Sequence, residues 1–168
     1  MNRKGFTLIE LLAVIVILGI ILTFAVPNII NIYKDSKLKT EEMFLNELSK
    51  SIDSYVTLNS DKIAFTRISD SIIKEEKGQS LSVTVYEGKI SIKDLIDDQI
   101  IEENDYINPG NKNATCDKDN KIVEVYRDSD YVYCHKIKKE ALNCLTDEYK
   151  NSLDSEYAID TCIWKIGE

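Results

Sequence analysis

Apolar and polar positions divide this chain at about residue 27. From Phe6 to Val26 there are 21 residues, and Glu10 is the one charged side chain among them. At 1.5 Å per residue they make a helix of about 31 Å, close to the ~30 Å of a hydrocarbon layer. After Pro27 the pattern becomes periodic. Leu38, Leu45, Leu48, Ile52 and Tyr55 recur at spacings of 7, 3, 4 and 3, one apolar stripe on a helix. Charges such as Lys37, Lys39, Glu41, Glu42, Glu47, Lys50 and Asp53 fall between them and read as a solvated face. Gly and Pro are absent from Asn28 to Lys77, so one helix of about fifty residues from Phe6 to near Leu58 is expected.

Beyond that helix the pattern shortens. Ile63-Ala64-Phe65 could begin a strand, and Ser69 to Lys77 reads as a short helix stopped at Gly78. Ser80 to Tyr86 alternates as a strand does, with Glu87-Gly88 as its turn. Ser91 and Asp94 have capping-box spacing and predict a helix from Ile92 to Ile101. Asn108-Pro109-Gly110-Asn111 predicts a turn opening a polar loop to Asn120. Lys121–Tyr126 and Tyr131–Lys136 form a hairpin pair, Glu140–Leu153 is helix or loop, and Ile159–Ile166 is a last edge strand. The order predicts an α+β fold, a long N-terminal helix packed on a small antiparallel sheet.

Glu10 is the anomaly. A carboxylate inside a spanning helix is costly and marks a functional site unless it snorkels to the headgroups. Arg3 and Lys4 precede the apolar run, so the positive-inside rule leaves the N-terminus cytoplasmic and exports the remainder in a single pass. A cleaved secretory signal is disfavoured, because the apolar core is too long and Thr23 to Pro27 offers a poor cleavage site.

The stretch Lys4-Gly5-Phe6-Thr7-Leu8-Ile9-Glu10-Leu11-Leu12 resembles the N-terminal signature of type IV pilins and pseudopilins, the class III signal peptide. Gly19 and Pro27 also sit where that family has them. The resemblance implies cleavage between Gly5 and Phe6 by a prepilin peptidase, with N-methylation of Phe6. It divides the chain into a leader at 1–5, a membrane and filament-core helix at 6–27, its amphipathic continuation at 28–58 and an exported head at 59–168. It implies that Glu10 receives the Phe6 amine of an incoming subunit, and that residues 19–27 kink and partly melt in the fibre. Implied partners are other pilin subunits, the peptidase, a membrane platform protein and a cytosolic assembly ATPase. The subunit would stand in the cytoplasmic membrane first and on the cell surface afterwards.

Composition narrows the head's chemistry. A formal charge of -8 argues against nucleic acid as a specific partner, since phosphate binding needs clustered Lys and Arg. Cys116, Cys134, Cys144 and Cys162 all lie in the exported part and suggest two disulfides in one of three connectivities. Cys116–Cys134 with Cys144–Cys162 is preferred. A zinc site built from these thiols and His135 would lack any Cys-x-x-Cys pair, and free thiols are the remaining alternative. His135 adjoins Cys134, and neighbours on a strand point apart, so a Cys–His nucleophile is not expected. The pairs Asp97-Asp98 and Glu102-Glu103 match no calcium loop and read as a solvated face. No catalytic constellation, metal site or cofactor motif is evident, so an enzyme is not expected.

The expectation is a structural subunit of a type IV pilus, major or minor, serving adhesion, biofilm formation, motility or DNA uptake. Two alternatives stand beside it: a pseudopilin of a type II secretion or competence system, and a membrane-tethered binding domain that never polymerises.

Overall fold

A stretch with neither helix breaker nor turn signal after Pro27 lets one helix run unusually far. In the computed structural model, α1 covers Leu8–Asn59, 52 residues, passing through Gly19 and Pro27. The structure describes residues 7–76, 79–102, 104, 106–112 and 114–162, with the backbone alone at 25, 27, 28, 69–76 and 79–82. The chain divides into two units, Met1–Lys37 and Leu38–Glu168.

In the first unit the described apolar side chains from Leu8 to Tyr33 are exposed, Phe24 at 71% and Ile32 at 67%. Among the described residues no single helix is long and apolar enough to cross a membrane. Leu8–Phe24 and Ile29–Lys62 taken together pass on length and composition alone.

The second unit is built on a five-stranded antiparallel sheet in the order β1-β2-β5-β6-β7. Its strands are β1 Thr66–Glu76, β2 Gln79–Ile90, β5 Val123–Asp128, β6 Tyr133–Lys138 and β7 Tyr157–Asp160. A two-stranded ribbon of β3 Ile107–Asn108 and β4 Ala114–Thr115 stands apart. Two short helices, α2 Ile92–Asp97 and α3 Asp147–Ser152, complete the unit. The stripe predicted on α1 is the buried one: Leu45, Leu48, Ile52 and Tyr55 join Phe44 and Val56 in one core with Val123, Val125, Ile137 and Ile159. Each large side chain so buried contributes about 1.5–3 kcal/mol.

Several predicted boundaries change. The helix expected over 69–77 is strand β1, paired antiparallel with β2 from Thr66↔Glu87 to Glu76↔Gln79. Local preference loses there to the partner that the alternating β2 requires. The break at Gly78 lies outside the described residues. Glu87-Gly88 is no turn, because β2 runs through it to Ile90 and Gly88 pairs with Val125. A glycine is needed there, since a Cβ would collide with Ile63 and press on Phe65. The Ser91 capping box forms as its spacing indicates, with the Ser91 N–H donating to Asp94 Oδ2 at 2.7 Å and the Asp94 N–H to Ser91 Oγ at 3.2 Å. Helix α2 nonetheless ends at Asp97, and Gln99 follows in left-handed backbone (φ 59°). The turn at Pro109–Asn111 is a single 3-10 turn between β3 and β4. The 121–136 hairpin forms two residues further along than expected, and β7 begins two residues earlier than the edge strand predicted, with 163–166 outside the described residues.

Candidate functional site

Thr7 and Glu10 close the first turn of α1 reciprocally. The Thr7 N–H and hydroxyl donate to Glu10 Oε2 at 2.8 and 2.9 Å, and the Glu10 N–H donates to Thr7 Oγ1 at 3.3 Å. This is capping-box chemistry, and it satisfies donors that a helix start leaves unpaired. The Glu10 carboxylate is exposed and ringed by exposed apolar neighbours, Leu8 at 85%, Ile9 at 72% and Leu11 at 63%. Gly5 and Phe6, the expected processing residues, lie outside the described residues. Nothing approaches within 4 Å of where a Cβ at Gly19 would stand, and the Gly19 carbonyl accepts from the Thr23 hydroxyl at 2.9 Å. The backbone from Gly19 to Pro27 is helical.

In the head, the cysteines pair as Cys116–Cys144 and Cys134–Cys162, not sequentially as expected. The reason is which layer each occupies. Cys116 and Cys144 belong to the core beneath α1, whereas Cys134 lies on the opposite sheet face with Val85 and Tyr126. The Thr161 N–H donates to the His135 carbonyl at 3.0 Å, which brings Cys162 beside Cys134. All four cysteines are disulfide-bonded, so none offers a free thiolate beside His135.

His135 faces α1, away from its neighbour Cys134, and is 1% exposed. Its Nε2 lies 2.9 Å from Ser49 Oγ, its Nδ1 3.1 Å from Asp53 Oδ1 and 3.3 Å from Thr161 Oγ1. Burial pushes its pKa below the usual 6.5, against the pull of Asp53, so the ring is neutral at pH 7. With Nδ1 donating to Asp53, Nε2 accepts a hydrogen bond from the Ser49 hydroxyl. Ser, His and Asp in this order have the outline of a hydrolytic triad. Ser49, however, stands in mid-helix, where its own backbone N–H is engaged in α1 and cannot serve an oxyanion. The three groups fasten α1 to β6.

Glu41 was expected on the solvated face and is instead fully buried. Its carboxylate accepts from the Thr146 N–H at 3.0 Å and the Thr146 hydroxyl at 2.7 Å, at the start of α3. The signal was present in the spacing, because 41 falls three after Leu38 and four before Leu45 on the same stripe. Asp98 pairs with Lys62 and, with Asp94, lies near Tyr55, whose hydroxyl is pushed up to about 12, first by burial. Asp97 and Glu102 are exposed, and Glu103 lies outside the described residues.

Residues 1–26 match the family described as the prokaryotic N-terminal methylation motif. No curated protein and no solved structure matches the chain. The motif on a long N-terminal helix, followed by an antiparallel sheet, supports a type IV pilin-like protein.

Proposed function

We propose that this chain is a structural subunit of a type IV pilus, held in the cytoplasmic membrane and then packed into an extracellular filament through its N-terminal helix. The observation that carries the reading is Glu10, one carboxylate on an otherwise apolar, exposed helical surface. Prepilin peptidase cuts between Gly5 and Phe6 and methylates Phe6; losing Arg3 and Lys4 moves the formal charge from -8 to -10. The new amine lies four residues, about 6 Å of helix rise, from Glu10 of its own chain. In the bilayer both charges reach the headgroups. Among packed helices neither does, and an unpaired buried charge costs several kcal/mol. Setting the amine of an incoming subunit beside Glu10 of a seated one leaves neither unpaired. The carboxylate thus sets register and recruitment, while the Gly19–Pro27 segment supplies the helix's weak point for fibre extension.

Mass spectrometry of the mature chain is expected to read a start at a methylated Phe6, whereas a start at Met1 or after residue 25 overturns the reading. Glu10→Ala is expected to leave processing and membrane insertion intact and to abolish sheared surface filaments. Normal filament yield from that variant would reduce the helix to a tether. Recovery of the chain only with a secretion apparatus, never in surface filaments, would make it a pseudopilin.

A further inference from the structure

Past the end of α1, Ile63 and Phe65 cover Gly88, and the sheet continues for one more row on the same face. The cross-strand partners in that row are Arg67↔Tyr86, Tyr86↔Arg127 and Arg127↔Tyr133, so cation and aromatic alternate over four strands. The Arg127 guanidinium lies 4.9 Å from the Phe65 ring centroid, 4.8 Å from that of Tyr86 and 4.7 Å from that of Tyr131. Its Nε is buried with no hydrogen-bond partner among the described residues. Tyr131 is 67% exposed and takes left-handed backbone (φ 61°), which a bulky residue seldom adopts. Asp128 fixes that turn by accepting from the Asp130 and Val132 N–H groups, each at 2.9 Å. Residue usage singles out the same place. Of 21 Lys and Arg only Arg3, Arg67 and Arg127 are arginine, and the two outside the leader both stand in this row.

We infer that the Arg67–Tyr86–Arg127–Tyr133 row, with Tyr131 at its edge, binds a carboxylate-bearing saccharide. Three ring centroids within 5 Å set the Arg127 guanidinium among aromatic walls, and its forked N–H groups can make a two-pronged contact with a carboxylate, which a lysine cannot reproduce. Apolar ring walls thin the competing water around that edge. Exposed tyrosine offers a flat face to the C–H side of a sugar and a hydroxyl to its polar side. A nucleic acid suits the row less, since two arginines on a chain of net charge -8 meet a densely charged phosphate polymer poorly.

The inference is independent of polymerisation, because it can be read on single full-length chains held in detergent. Calorimetric titration with trigalacturonate is expected to saturate, with its neutral methyl ester at least tenfold weaker. Arg127→Lys, which keeps the charge, is expected to weaken binding at least tenfold. Tyr131→Ala, at an exposed turn, is expected to weaken it severalfold with an unchanged melting temperature, and this variant decides the matter should Arg127→Lys misfold. No saturation by the wild type, equal affinity for the ester, or unaltered affinity in both variants overturns the inference. Tighter binding of a single-stranded oligothymidylate than of the triuronide overturns it in favour of a nucleic-acid surface.

Discussion

His135 has its imidazole wholly inside the head, and its consequences for stability can be given a sign. Because burial holds its folded pKa below 6.5, the folded chain resists taking the proton that the unfolded chain accepts. The contribution of the neutral ring is therefore complete above about pH 6.5. It declines as pH falls from there towards the folded pKa. Denaturation series at pH 8, 7, 6 and 5 are expected to show stability falling through the acid side. His135→Gln should be less stable at pH 8 by about 1–3 kcal/mol, from lost hydrogen bonds to Ser49 and Asp53, and should show a shallower acid decline. Gly88→Ala tests a different kind of constraint. The added methyl meets Ile63 and Phe65, and a loss of about 1–3 kcal/mol is expected from the shift in denaturation midpoint.

Among the elements, those with strict periodicity were legible in the sequence. The α1 stripe, the α2 cap and the β5–β6 hairpin follow from spacing alone. Strand β1 was not legible, because Ile72-Ile73-Lys74-Glu75-Glu76 suits a helix until β2 is present to pair with it. Gly88 was misread for a related reason: locally it signals a turn, and only the approach of Ile63 reveals a strand glycine. Glu41 and Ser49 needed tertiary knowledge of what lies opposite α1, although the position of Glu41 on the stripe hinted at it. Cysteine pairing was beyond sequence reach, since it depends on the sheet face each thiol occupies. Non-reducing peptide mapping is expected to recover Cys116 with Cys144 and Cys134 with Cys162; peptides joining Cys116 to Cys134 would contradict the fold. Each bond closes a separation of 28 residues, for which the chain-entropy estimate is roughly 3–4 kcal/mol. Replacing Cys134 and Cys162 together by Ser should lower the denaturation midpoint accordingly.

At the scale of the molecule, no buried residue among those described precedes Glu41. The unit Leu38–Glu168 therefore holds the whole described core. A chain beginning at Leu38 is expected to fold without detergent and to match the full-length head within about 1 kcal/mol in chemical denaturation. The interlaced disulfides bear on what happens under tension. From Cys116 a covalent route runs to Cys144, back ten residues to Cys134 and across to Cys162. A head tugged by its anchoring end could spool out strand by strand only as far as Cys116. The knot beyond it would stay tied, so that a subunit of the proposed filament, if strained by flow, would keep a closed, refoldable remnant.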